Sequence, residues 1–393
     1  MNPVPVFWTG FFLALNQLMA NTKKWDIIII GGGLAGLTTA LHLANNNCKI
    51  CLIEKNEYPY HKVCGEYISN EVLPYLQSLK IDPFSAGAKK ISKFEITDTK
   101  GLPLKVNLPL GGFGLSRYAF DNLIFETLKN KANIVFDTVE KIEFENNHFL
   151  VSTQRKEVYK ADFVIGSFGK RSNLDSYLKR DFMKQNSSWL AVKSHFEYDF
   201  PEDTVALHNF NGGYCGLSKT ETNAVNACYL ATFKSFKKYG DIETFQKQEL
   251  SKNPNLKKFY NEAIPIFKKP LTISQVSFHK KNPVENHIFM VGDSAGLIHP
   301  LCGNGMAMAI KSAQIFSELF IKTFQDNNFD RTKLEEEYTI QWQKEFRQRL
   351  KTGRHIQRVL LNPFASKVGF SLARVVPSLL PNIIKKTHGT KSV

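Results

Sequence analysis

Two glycine-rich stretches have the residue types and spacing to hold a dinucleotide. Gly31-Gly32-Gly33-Leu34-Ala35-Gly36 fits G-x-G-x-x-G, after the apolar run Asp26 to Ile30 and ahead of helix-spaced residues from Leu34 to Ala44. In that setting Gly31 permits a tight turn, Gly33 lets the backbone approach a pyrophosphate, and Gly36 lets helix and strand pack closely. The N–H groups of the helix start, at Leu34 and Ala35, together with its partial positive charge would hold the diphosphate. Glu54 closes a second strand-like run, 23 residues after Gly31. A carboxylate there accepts ribose hydroxyls and repels a 2′-phosphate, so FAD or NAD is expected rather than NADP.

The second stretch, Gly292-Asp293-Ser294-Ala295-Gly296-Leu297-Ile298-His299-Pro300-Leu301-Cys302-Gly303-Asn304-Gly305-Met306, decides between those two. Asp293, ending the strand expected over His287 to Val291, is placed to accept a ribityl hydroxyl. Gly303 and Gly305 leave room for backbone beside a flat ring. The helix opening near Asn304, Gly305 and Met306 aims its positive end at a flavin edge, where reduction deposits negative charge. FAD is therefore the expected cofactor.

With both motifs in place the chain resembles the FAD-dependent oxidoreductases of the p-hydroxybenzoate hydroxylase fold, from Trp25 to about Gln325. Their second motif reads G-D-A-A-H-x-x-x-P-x-x-G-x-G, which implies that Gly292 and Pro300 belong to the cofactor site. Gly296 is more like the geranylgeranyl reductase branch. Pro59-Tyr60-His61-Lys62-Val63-Cys64-Gly65 looks like the P-x-x-K-x-C-G segment of geranylgeranyl reductases and flavoprotein dehydrogenases, implying that Lys62 and Cys64 lie by the flavin. Arg117-Tyr118-Ala119-Phe120-Asp121-Asn122-Leu123 is similar to the R-x-x-F-D-x-x-L helix whose arginine reaches the cofactor. His61, Cys64 and His299 are the proton-donor candidates these segments imply.

The departures matter too. Ser167-Phe168-Gly169-Lys170-Arg171-Ser172 replaces A-D-G-x-x-S, losing the aspartate that the family uses against cofactor and NAD(P)H. Gly213-Tyr214-Cys215-Gly216-Leu217-Ser218 keeps only the tyrosine of the reductases' Y-x-W-x-F-P, so the resemblance does not carry over a geranylgeranyl substrate. The W-x-W-x-I-P of flavin halogenases is absent. Two chemistries stay open, hydride transfer in a reductase or dehydrogenase and oxygen insertion in a monooxygenase, beside a non-catalytic lipid or prenyl carrier of the same fold. The expected substrate is lipophilic, and the reductant is NAD(P)H or an electron-donor protein.

The elements that must position these residues set the fold class. It is α/β: a discontinuous Rossmann-like FAD-binding domain with an inserted antiparallel-sheet substrate domain and C-terminal helices. The FAD-binding parts are expected at 24–90, 111–172 and 285–330, strands near the substrate domain at 91–110, and the substrate domain at 173–284. A single helical span is expected over 241–262. Residues 1–23 are expected to be a leader or disordered tail, since Lys23 and Lys24 follow the apolar run rather than precede it.

Composition agrees with a globular chain. Of 393 residues 43% are hydrophobic and 22% charged, which excludes disordered and collagen-like classes. Six scattered cysteines argue for a reducing compartment, here the cytoplasm. No His or Cys spacing matches a metal site, so no metal is expected. Net charge is 51 − 36 = +15, and from Lys344 onward eleven Lys/Arg face one acid, Glu345, giving 11 − 1 = +10. No nucleic-acid module accompanies that charge; interleaved with aliphatic residues over 331–393, it points to peripheral contact with an anionic membrane.

Overall fold

Asp26 is followed by four isoleucines, Ile27 to Ile30, all buried. A run with no polar alternation can pack only where both faces of a strand are covered, as in a parallel sheet. The computed structural model, which describes residues 24–185, 187–298, 303–324 and 330–389, places this run at the sheet's centre. Two sheets alternate along the chain. β1 (Lys24–Ile30) and β2 (Ile50–Glu54) belong to the first; β3 (Tyr67–Ser69), β4 (Lys89–Thr97) and β5 (Pro103–Gly114) belong to the second. β6 (Asn133–Phe136), β7 (Val139–Glu145), β8 (His148–Thr153) and β9 (Val158–Gly166) return to the first. β10 (Trp189–Glu197), β11 (Thr204–Phe210), β12 (Gly213–Lys219), β13 (Val225–Thr232), β14 (Ile264–Pro265) and β15 (Leu271–Ser274) form the rest of the second. β16 (Val284–Glu285) and β17 (Ile288–Met290) close the first.

In the first sheet β1 lies between β2 and β9, parallel to both, and β17 runs parallel to β9. The carboxyl ends of β1, β2, β9 and β17 therefore rise at one edge, where ligands bind in open α/β sheets. The second sheet runs β14-β10-β13-β12-β11-β4-β5-β3, antiparallel except where β11 meets β4. It thus recruits β3, β4 and β5 from well before residue 173, and β5 crosses position 111. The helical span over 241–262 is two helices, Ile242–Gln248 and Pro254–Glu262, because Pro254 cannot continue a helix but suits its first turn.

Six helices matter for the site: α1 (Leu34–Ala44), α2 (Arg117–Leu128), α3 (Gly305–Phe324), α4 (Arg331–Leu361), α5 (Pro363–Val375) and α6 (Leu379–Thr387). α4 buries Leu334, Tyr338, Trp342, Phe346, Arg349 and Gly353, three or four residues apart and so on one face. Tyr338 donates to the Met290 carbonyl at 2.7 Å, fastening α4 to β17. Among the described residues no helix is long and apolar enough to cross a membrane. Residues 1–23, and with them the expected leader, lie outside the described residues.

The contact between α1 and the turn after β1 has no slack, since a Cβ on Gly36 would stand 2.0 Å from the Gly31 carbonyl oxygen. Gly36→Ala is expected to destabilise the protein by ~1–3 kcal/mol through overpacking. Urea unfolding checks this against Gly65→Ala, where a Cβ would meet nothing within 4 Å; equal midpoints for the two variants would refute the close-packing account.

Candidate active site

The glycine loop has the shape of a diphosphate cradle. Gly31 has φ +101°, and a side chain there would strike the Ser167 carbonyl oxygen at 2.5 Å. At Gly33 the space is open, with only an Arg117 Nη2 atom 3.5 Å from an added Cβ. Gly33 caps α1 without a side-chain bond, and the first turn of α1 holds no acid. The Leu34 and Ala35 N–H groups, the helix dipole and a guanidinium thus converge where an anion would sit. These residues fit the diphosphate of FAD.

Glu54 does more than its spacing announces. Its Oε2 accepts from the Gly32 N–H at 2.6 Å, and its Oε1 from the Asn56 N–H and the Tyr60 hydroxyl, each at 3.1 Å. Tyr58 donates to the Gly32 carbonyl at 2.5 Å, so both polar groups of Gly32 are clamped.

Arg117 and Lys62 meet through Asp121. Ser116 caps α2, accepting from the Ala119 N–H at 3.1 Å, and brings Arg117 to the helix start. Arg117 holds both Asp121 oxygens at 2.7 Å, and Lys62 donates to Asp121 at 2.9 Å and to the Gly32 carbonyl at 3.3 Å. Burial pushes the Asp121 carboxyl up, but the two cations outweigh it and hold it below the usual carboxylate range. The two cations face Asp121 and, across Gly32, Glu54, so the Arg117 guanidinium is the positive group that stands beside Gly33.

The second motif touches the first. Gly292 has φ +63°, and a Cβ there would stand 2.8 Å from the Ala35 Cβ. Asp293, Gly303, Asn304, Gly305 and Met306 line the same cavity as Gly33, Leu34 and Ala35. His299 and Pro300, with Cys302, lie outside the described residues. Behind the motif is a buried polar knot that no spacing signals. Lys281 donates to the Asp293 carbonyl at 2.8 Å and the Lys170 carbonyl at 2.9 Å. Arg180 donates to the Ser294 carbonyl at 3.0 Å and pairs with Asp175 and Glu285. Burial pushes Lys281 down to about 8, against the pull of Asp175. Ser294 accepts from the Gly169 N–H at 2.9 Å, so this serine ties the motif to the Ser167–Gly169 turn. Phe168, where the related flavoproteins carry aspartate, packs against Gly166.

The cavity, about 260 Å³, continues from these loops between the two sheets. Cys64 and Arg117 line it together with Leu108, Leu207 and Leu230 of the second sheet and Leu360 and Leu380 of the C-terminal helices. His61 does not line it. Its ring lies against Tyr118 and Phe267 in a separate groove, and burial, with Lys193 and His195 close by, pushes it down to about 4. Between groove and cavity Glu66, wholly buried with φ +55°, pairs with Lys193 and, at 2.7 Å, with His195 Nε2. Lys193 and His195 are two apart on β10 and so share a face. His61, Glu66 and His195 bring three ligand-type atoms within 4.8 Å of one another, a grouping no sequence spacing betrays. The Lys193 ammonium already occupies that carboxylate, which makes the cluster a poor host for a second cation.

Known proteins match this geometry. Residues 26–63, covering β1, the cradle, Glu54 and the Pro59–Val63 segment, match the family model described as FAD dependent oxidoreductase. A digeranylgeranylglycerophospholipid reductase of Methanococcus vannielii is 23% identical over 94% of this chain and 97% of its own. One from Methanocaldococcus jannaschii is 25% identical over 88% and 91%. Among solved structures, a flavin-dependent brominase superposes with TM-score 0.76 at 15% identity, covering 93% of each chain. A geranylgeranyl bacteriochlorophyll reductase-like protein of Thermoplasma acidophilum does so with TM-score 0.72 at 17% identity, covering 94% of each. In fold, cradle and matched segment the chain is similar to FAD-dependent oxidoreductases with a Rossmann-like cofactor domain. Within that class the chain is similar along nearly its whole length to geranylgeranyl reductase-like flavoproteins.

Asp293 has one expected contribution, a hydrogen bond from a ribityl hydroxyl to a charged acceptor. Asp293→Ala is expected to weaken FAD binding by ~1.5–3 kcal/mol, roughly one to two decades in Kd. Titration of flavin-stripped protein with FAD reads this; unchanged affinity would remove Asp293 from the cofactor site.

Proposed function

We propose that the chain reduces carbon–carbon double bonds of an isoprenoid-type lipid. The observation that carries this reading is one apolar cavity whose walls come from both FAD loops, from Cys64 and from the C-terminal helices. The resemblance to digeranylgeranylglycerophospholipid reductases supports the substrate class and favours reduction over oxygen insertion. When bound, FAD in its reduced form supplies hydride; everything else falls to the protein. The Arg117 guanidinium beside Gly33 would stabilise the anionic charge of the diphosphate. Leu108, Leu207 and Leu230 hold the chain of the substrate and keep water out.

Cys64 is the proton donor in this reading. It lines the cavity, and Arg117 is near enough to interact with its thiolate once the proton has left. His61 fails on both counts, since it faces the other groove and is uncharged at neutral pH. Anaerobic mixing of photoreduced enzyme with geranylgeranyl lipid is expected to reoxidise the flavin and yield a product two hydrogens heavier. Cys64→Ala is expected to slow that single turnover roughly 10²-fold or more. Reoxidation that requires oxygen, with an oxygen atom in the product, would establish the monooxygenase reading instead.

We further propose peripheral membrane contact through α5. Phe364, Val368, Leu372 and Val375 lie four, four and three residues apart on one face, and Phe364 and Val375 are 78% and 79% exposed. Inward-facing Phe370, Leu380 and Ile384 instead pack toward the cavity side, so these helices separate the cavity from the surface. The basic residues around them each add ~1 kcal/mol near an anionic leaflet. Sedimentation with phosphatidylserine-containing vesicles is expected to lose most bound protein on the double substitution Phe364→Glu and Val375→Glu. Equal pelleting of wild type and variant would leave this face without a membrane role.

A further inference from the structure

On the C-terminal side of the cavity four buried polar atoms lack a hydrogen-bond partner among the described residues: Tyr67 Oη, Glu71 Oε1, Asn304 Oδ1 and His388 Nε2. Their residues are 7%, 3%, 0% and 9% exposed. They come from three distant parts of the chain, yet they meet. The Tyr67 and His388 rings are 6.2 Å apart between centroids. The Tyr67 ring also lies 3.2 Å from where a Gly303 Cβ would stand, beside Asn304. Asn304 donates through Nδ2 to the Thr387 carbonyl at 2.9 Å, next to His388. Glu71 is near enough to act electrostatically on both Tyr67 and His388. Tyr67, Asn304 and His388 line the cavity that Cys64 and Asp293 line.

Buried polar atoms in native proteins have partners, so four orphans in one place call for a ligand or ordered water. Their chemistry is one-sided. His388 Nδ1 donates to the Ile384 carbonyl at 3.0 Å, which leaves Nε2 a bare acceptor on a ring that burial keeps neutral. Glu71 Oε2 is taken by Arg349 at 3.0 Å, leaving Oε1 with its lone pairs. The Asn304 amide gives an N–H to the Thr387 carbonyl and leaves its oxygen without a partner. Three acceptors and one phenol hydroxyl suit a group that donates hydrogen bonds. A phosphate would face three sets of lone pairs, one of them a carboxylate's. An ammonium would have to be desolvated with its full charge at the end of an apolar cavity. A neutral hydroxyl meets neither obstacle.

We propose that Tyr67, Asn304 and His388, with Glu71 behind them and ordered water completing the cluster, form a subsite for the hydroxyl end of an amphiphilic lipid whose apolar chain lies along Leu108, Leu207, Leu230 and Leu380. The proposal rests on reading the cavity as a lipid site, and it adds that the free alcohol, not a phosphorylated form, is held at this end.

The test uses FAD-loaded protein and three probes with one hydrocarbon chain: geranylgeraniol, geranylgeranyl monophosphate and the corresponding hydrocarbon. Binding is read by perturbation of flavin absorbance and quenching of tryptophan fluorescence. With up to two net hydrogen bonds, one donated and one accepted from Tyr67, the alcohol is expected to bind roughly tenfold more tightly than the hydrocarbon, and more tightly than the monophosphate. Tyr67→Phe and His388→Phe, checked for unchanged flavin content, are each expected to erode the alcohol's advantage ~3–10-fold while leaving hydrocarbon affinity alone. Equal affinity for alcohol and hydrocarbon would mean that water alone fills the cluster, sinking the subsite but not the lipid cavity. Tighter binding of the monophosphate overturns the subsite as well. Failure of all three probes to bind defeats the lipid reading and the subsite with it.

Discussion

Among the described glycines, the closest approach to backbone is where α1 seats on the end of β1. Gly36 must come so near the Gly31 carbonyl that no side chain fits between them. That contact fixes the direction of α1, and hence where the N–H groups of Leu34 and Ala35 point. It also fixes the height of the Gly31 turn, against which the Ser167 turn and Arg117 are packed. Because β1 has parallel neighbours on both sides, the loops after β2, β9 and β17 are brought to the same edge by sheet geometry alone. The cofactor site follows from those two facts more than from any single polar contact.

Around that frame the structure buries charge in separate groups, each of which sets opposite charges against one another. Asp121 with Arg117 and Lys62, Glu66 with Lys193 and His195, and Arg180 with Asp175 and Glu285 each join elements distant in sequence. Buried ion pairs add little net stability compared with well-packed apolar residues, but losing one partner is costly. Their value here is positional. The first places the Arg117 guanidinium beside the open glycine, the second joins the cysteine segment to β10, and the third anchors the loop that carries Asp293.

How much of this was legible depended on the range over which each feature is encoded. The cradle glycines, Glu54 and Asp293 are set by backbone geometry within a few residues, so spacing revealed where they lie. The isoleucine run likewise identified the central strand. Lys281, Arg180, Lys193 and His195 carried no signal, because isolated Lys and Arg default to the surface and only tertiary packing buries them. Glu66 and Lys193 are 127 positions apart, beyond any local pattern. His61 looked close to the flavin because it sits three residues before Cys64, yet the chain turns between them and the two side chains face different spaces. The C-terminal apolar residues could be counted, but which faced inward and which outward depended on how α5 and α6 settle against the second sheet.

The alternation of the two sheets along the chain bears on how the enzyme moves. The backbone passes between them four times, after β2, β5, β9 and β15. Four covalent stitches leave no single hinge about which the sheets could swing apart, unlike an inserted domain held by one pair of linkers. The walls that the two sheets give the cavity are therefore a fixed seam. The helices after α4 are tied across that seam as well, by Arg374 to Asp98 and by the Thr387 carbonyl to Asn304.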